Sequence, residues 1–150
     1  MKKIIALIVV CIMMFSFTGC EKKDDGNTLD IFYLNIDATA TVPEKYELKG
    51  SDESVDKQVD ELLDKLSSKP DDSKLRKTIP DDVEIKKHEE NAYSCTIDFS
   101  KSYYDMTAAE EVLMRASVVR TLTQLKQITY VMFTVDKAPL MNSDGEVIGS

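Results

Sequence analysis

Between Leu29 and Asp136 the spacing of apolar residues switches back and forth between two periods, and the order of the switches leaves few folds open. Leu29-Asp30-Ile31-Phe32-Tyr33-Leu34-Asn35-Ile36 is aromatic and β-branched, and reads as a strand with apolar residues on both faces. Val55, Val59, Leu62, Leu63 and Leu66 then lie on one helical stripe, behind the cap residues and acids of Ser51-Asp52-Glu53-Ser54. Residues 83–88 and 92–99 alternate as half-buried strands around a Glu89-Glu90-Asn91 turn, which predicts an antiparallel hairpin. Thr107-Ala108-Ala109-Glu110 matches a capping box. The helix it opens is expected to bury Val112, Leu113, Ala116, Val119, Leu122 and Leu125. Residues 128–136 are apolar on both faces, as a central strand is.

Strand, helix, strand, strand, helix, strand predicts an α+β two-layer sandwich in one domain: a mixed four-stranded sheet with two helices on one face. Residues 37–50, interrupted by Pro43, are expected to be an irregular loop, with a short extended piece at 39–42. Residues 71–77 are expected to hold a helical turn, and residues 100–106 a tyrosine-rich loop. Pro139 and Asn142-Ser143-Asp144-Gly145 signal turns. Val147-Ile148 reads as another extended piece, so the domain, residues 29–150, is expected to be cut short at Ser150.

Ahead of the domain stands Met1-Lys2-Lys3, then an apolar run from Ile4 to Phe17 interrupted by Ser16. The run suits a signal-peptide core and is short of the ~20 residues a spanning helix needs. It ends in Phe17-Thr18-Gly19-Cys20, which resembles the lipobox of bacterial lipoproteins, with Phe17 where leucine is favoured. Residues 1–19 are thus expected to be removed, leaving Cys20 to carry a diacylglycerol on the extracytoplasmic face of the cell membrane. Residues 20–28 read as a flexible tether. Each buried lipid methylene contributes about 0.8 kcal/mol, so two acyl chains anchor stably.

The formal net charge is −8, and removal of Lys2 and Lys3 makes it more negative. Such a chain is not expected to bind nucleic acid or anionic head groups. Of the three cysteines, Cys11 leaves with the leader and Cys20 is acylated, so Cys95 has no disulfide partner. Cys95 shares a strand face with Tyr93, Ile97 and Phe99 and reads as a buried thiol.

Chemistry-bearing residues are sparse. The single histidine, His88, reads as an exposed strand residue without a cysteine or second histidine at metal spacing. Asp24-Asp25, Asp71-Asp72 and Asp81-Asp82 read as solvated turns, since none fits a twelve-residue calcium loop. Asp98, at a strand end, reads as a cap or surface group. Arg115 and Arg120 lie in a largely apolar helix and could form a basic spot for an acidic partner, or lay their stems along the sheet's rim. Tyr93, Tyr103 and Tyr104 could form an aromatic patch for glycan or protein. No catalytic, cofactor-binding or metal-binding residue is assigned, and the chain is not expected to be an enzyme.

Several pieces recur together here. They are Phe32-Tyr33-Leu34-Asn35, Val42-Pro43, the acid-rich helix with Val59, Leu62 and Leu63, Ile79-Pro80 and Ile97-Asp98-Phe99-Ser100. They close with Val118-Val119-Arg120-Thr121-Leu122-Thr123-Gln124 and Val131-Met132-Phe133-Thr134-Val135-Asp136-Lys137. In this order and spacing, over residues 29–141, they resemble the GerMN domain, named for sporulation and spore germination. That family often occurs as lipoproteins, singly or doubled, sometimes beside cell-wall amidases. Its fold is similar to the ring-building motifs of envelope-spanning secretion machines. The resemblance implies a role in binding or assembling envelope proteins, with sporulation or germination as the implied setting and recognition of cell-wall glycan or peptide as the alternative. It supplies no catalytic residues. A single copy lies in these residues, and Tyr103-Tyr104-Asp105-Met106 is an unusually aromatic lead into the second helix.

Overall fold

Residues 27–141 and 147–148 are described by a computed structural model. The leader, Cys20, Asp24-Asp25 and the 142–145 turn lie outside the described residues. The elements run β1 (Thr28–Asn35), β2 (Thr41–Glu47), α1 (Val55–Ser67), β3 (Leu75–Arg76), β4 (Ile85–Asn91), β5 (Ser94–Phe99), a 3-10 turn (Lys101–Asp105), α2 (Ala108–Leu122), β6 (Tyr130–Val135) and β7 (Ala138–Pro139). No helix among the described residues is long and apolar enough to cross a membrane.

The four-stranded mixed sheet is present, in the order β4-β5-β6-β7. β5 lies antiparallel to β4 and parallel to β6, and α2 makes the crossover between the parallel pair. Both helices pack on one face of this sheet. Cys95, Ile97 and Phe99 of β5 and Val131, Phe133 and Val135 of β6 meet Val59, Leu62, Leu63 and Leu66 of α1 and Met114, Val118 and Leu122 of α2 in one core. Burying each large apolar side chain contributes about 1.5–3 kcal/mol.

The first strand belongs to a separate sheet rather than to the same four. β1 pairs with β2 on one side and with β3 on the other, all antiparallel. The segment expected to be a loop is therefore an edge strand, and the segment expected to be a helical turn supplies β3. Pro43 misled: it lacks an N–H for a ladder, but an edge strand tolerates that. In β2, Val42, Glu44 and Tyr46 turn inward while Pro43, Lys45 and Glu47 face solvent, a period of two. The β1–β2 turn is held by Asn35, whose Oδ1 accepts from the N–H groups of Thr39 and Ala40 at 2.7 and 3.0 Å.

α1 buries the stripe its spacing predicts, and Thr107 and Glu110 close the capping box at the start of α2. Of the expected buried face, Leu122 and the following Leu125 are in the core, but higher up α2 the inward side is Met114, Ser117, Val118 and Thr121 rather than Val112, Leu113, Ala116 and Val119. The helix carries apolar residues nearly all round, so periodicity alone could not choose. β6 is central by pairing, yet covered on one face only, with Tyr130 and Met132 exposed. The hairpin turn falls at Ala92-Tyr93 rather than at residues 89–91, because β4 runs on through Asn91. Val147 pairs with Met141 in an antiparallel bridge, the extended return the sequence suggested.

Candidate functional site

One side of α2 is only partly used by the core, with Val119 half-buried and packed against it. Val112, Ala116 and Val119, spaced i, i+4, i+7, form a stripe along it, and Val112 is 54% exposed. Together with Ile148 they line a shallow depression of about 300 Å³ edged by Arg115 and Arg120.

Arg120 is fixed there by contacts from β1 and β2. Its guanidinium carbon lies 3.9 Å from the centroid of the Phe32 ring, and Nη1 donates to Thr41 Oγ1 at 2.5 Å. The stem thus lies on the rim while the head stays exposed. No carboxylate among the described residues forms an ion pair with Arg120, whereas Arg115 Nε lies 3.6 Å from Glu111. A cation left unneutralised in an acidic chain suits an acidic partner group.

Thr121 of α2, Gln124 just past its end and Thr78 after β3 hold β1 in place. Thr121 Oγ1 accepts from the Phe32 N–H at 3.1 Å. Gln124 bonds both backbone groups of Asp30, and Thr78 Oγ1 donates to the Phe32 carbonyl at 2.9 Å. These side chains occupy the edge of β1 that β3 leaves open, which satisfies its backbone without a fourth ladder. They explain the Val118-to-Gln124 run physically, a signal that could be read only once β1 was in position.

His88 is not the exposed strand residue the sequence suggested. Its side chain is 11% exposed and is held by carboxylates from two elements. Nε2 lies 2.7 Å from Asp60 Oδ1 on α1, and Nδ1 lies 2.7 Å from Glu90 Oε1 on its own strand. Burial alone would lower the imidazole pKa, but these two hydrogen bonds outweigh it and the net shift is upward. Cys95 is the cross-strand partner of Glu90, and its sulfur joins the His88 and Glu90 ligand atoms within a 4.8 Å group. The thiol is fully buried, as expected; burial and then Glu90 push its pKa up to about 12, so it is not nucleophilic.

The other candidates resolve plainly. Asp98 Oδ1 accepts from the Thr134 hydroxyl and the Lys137 N–H, both at 2.7 Å, and is a cap of the β6–β7 turn. The uncovered face of the four-stranded sheet carries Lys86 and Lys87, and these and Lys101 of the 3-10 turn are each paired with Asp136 or Glu89. Tyr103 is buried, its hydroxyl donating to Glu111, while Tyr93 and Tyr104 are exposed near opposite ends of β5. The three tyrosines therefore form no common patch, which removes one of the two supports of the glycan reading, the other being the family's association with cell-wall amidases.

Residues 30–141 match the family Germane, described as sporulation and spore germination. Among solved structures the fold is similar to the first GerMN domain of the sporulation protein GerM from Bacillus subtilis, with a TM-score of 0.61 and 18% identity over 81% of this chain and 92% of that one. The tandem GerMN domains of GerM align with a TM-score of 0.57 and 18% identity, covering 81% of this chain and 44% of that one. A Clostridium perfringens protein assigned as a lipoprotein aligns with a TM-score of 0.53 and 15% identity, covering 82% and 87%. At such identities the likeness establishes the fold alone. No curated protein matches the chain in sequence.

Proposed function

This chain belongs to the Germane family of sporulation and spore germination, and from that membership we propose that it is a lipid-anchored, non-enzymatic domain that binds another envelope protein. The observation that carries the binding reading is the outer stripe of α2, where Val112, Ala116 and Val119 lie beside the fixed, unneutralised Arg120. An apolar strip beside a preorganised cation fits a partner that offers an apolar surface beside a carboxylate. Strand addition is a poorer route. The long edges β2 and β4 carry Pro43, Lys45, Lys86, Lys87 and Glu89, and β4 has a bulge between Ile85 and Lys87, features that discourage edge pairing.

The anchor on Cys20 rests on the leader and the sequence resembling a lipobox. It agrees with the assignment of the Clostridium perfringens neighbour as a lipoprotein. Cys20 would hold the domain on the extracytoplasmic face of the membrane through diacylglycerol, with residues 20–28 as tether. Cells producing Cys20→Ala are expected to release the protein from the membrane fraction.

The binding reading is tested by cross-linking the tagged protein in its own host, in growing and in sporulating cells. Reproducible capture of one or two envelope proteins, lost on Val112→Asp or Arg120→Ala, supports it. Capture of wall fragments only, or of nothing beyond a Cys20→Ala control, removes it.

A further inference from the structure

The donors around His88 have an order of their own. Asp60 approaches Nε2 from α1 at 2.7 Å, which leaves Nδ1 facing Glu90 at 2.7 Å and Asp56 Oδ1 at 3.9 Å. Cys95 Sγ completes the group from the adjacent strand, all three ligand atoms of His88, Glu90 and Cys95 lying within 4.8 Å of one another. One nitrogen, one sulfur and one oxygen therefore converge, while a separate carboxylate grips the far side of the imidazole. We infer that this is a binding site for a zinc-like divalent cation, held by His88 Nδ1, the Glu90 carboxylate and the Cys95 thiolate, with Asp60 orienting the imidazole and Asp56 at the open position.

The donor set selects the ion. Thiolate and imidazole favour zinc and its relatives, whereas calcium requires six to eight oxygens. Bonds of about 2.0–2.3 Å to zinc place neighbouring ligand atoms about 3.3–3.8 Å apart. Glu90 and Nδ1 must open by less than about 1 Å from their present hydrogen bond, and the sulfur must approach within its present range. A histidine that ligates through one nitrogen while donating the other N–H to a carboxylate is the ordinary arrangement at protein zinc sites.

Binding requires the Cys95 thiol to lose its proton and His88 Nδ1 to present its lone pair, so the ion competes with protons for both groups. Asp56 and Asp60 are each 63% exposed and sit at the mouth, which gives the ion a way in. Their position on α1 makes the ion a tie between that helix and the β4–β5 hairpin. Sequence spacing hid the group, because Cys95 reaches His88 only across the hairpin.

The test uses the full chain in detergent with Cys11→Ser and Cys20→Ser, so that Cys95 is the sole thiol. Cobalt(II) is titrated as a spectroscopic probe for zinc. One equivalent should produce a thiolate-to-cobalt charge-transfer band and tetrahedral visible bands, both erased by zinc. Saturating zinc should raise Tm by at least ~5 °C. Cys95→Ala and His88→Gln should each abolish the bands. Asp60→Asn, on an exposed position that folding tolerates, should keep them and weaken affinity about tenfold or more. Absence of a charge-transfer band overturns the inference. So does zinc binding that survives unchanged in Asp60→Asn and in whichever of Cys95→Ala and His88→Gln folds, since surface carboxylates alone would then account for it.

Discussion

The Gln124 side chain grips both backbone polar groups of Asp30: Oε1 accepts from its N–H at 2.8 Å and Nε2 donates to its carbonyl at 2.7 Å. A side-chain amide here does what a neighbouring strand would do, and it joins the turn just past α2 to β1 across 94 residues of chain. Gln124→Ala strands both groups and is expected to cost about 1–3 kcal/mol in urea unfolding. Gln124→Glu keeps the acceptor, loses the donor and adds a charge beside Asp30, so it should be at least as costly. Amide hydrogen exchange at Asp30 should speed up in both variants. Unchanged protection would mean that the Gln124 amide does not hold this part of β1.

The outer stripe of α2 separates binding from folding. Val112 is more than half exposed, so Val112→Asp should alter stability by no more than about 0.5 kcal/mol while it eliminates partner capture. Arg120→Lys preserves the charge but not the planar stacking on Phe32, and is expected to cost about 0.5–1 kcal/mol. Denaturation midpoints measured beside capture yields decide the matter: a Val112→Asp protein that still captures its partner at wild-type yield removes α2 from the interface.

Much of this was legible before the fold was known, for reasons that differ by element. The α1 stripe and the Thr107–Glu110 box are local devices, set by spacing within a few residues, and the structure reproduces both. β4 and β5 announce themselves by alternation, and β6 by a run of apolar residues on both faces. β2 did not, because its pattern rests on Glu44 and Tyr46 turned inward, polar atoms that only tertiary partners justify. The buried side of α2 was legible at Leu122 and Leu125 but not nearer its start, where two apolar faces compete and Val112 and Ala116 on the less buried one became part of the candidate surface. The grouping of His88, Glu90 and Cys95 depends on hairpin register, and that of Asp60 on helix placement, neither of which spacing along the chain encodes.

Ser117 is wholly buried on α2, and its hydroxyl finds no hydrogen-bond partner among the described residues. A buried hydroxyl without a partner opposes folding, and alanine is also the better helix former. Ser117→Ala is therefore expected to stabilise the domain by about 1 kcal/mol, read as a higher urea midpoint at unchanged m-value. A lower midpoint would show that the hydroxyl is satisfied in solution.

The link between α1 and the loop after β2 gives stability a pH dependence with a definite sign. Glu61 accepts from the Tyr46 hydroxyl at 2.5 Å and from the Lys49 and Gly50 N–H groups at 2.8 and 2.9 Å. Burial alone would raise its pKa, but these donors outweigh burial and hold the carboxyl below its ordinary value of 4.5. The folded state therefore binds this proton less readily than the unfolded chain. The resulting stability is fully present above about pH 4.5 and is lost as pH falls through the lower folded value. Glu61→Gln should lower stability at neutral pH by about 1–2 kcal/mol, because a neutral acceptor serves charged-strength bonds poorly and its N–H₂ must face at least one backbone donor. The difference between wild type and variant should shrink steadily below pH 4.5, as the wild type loses what the variant never had. Urea midpoints collected from pH 7 to pH 3 measure it, and a gap that stays constant over that range would assign the acid sensitivity of the fold to other carboxylates.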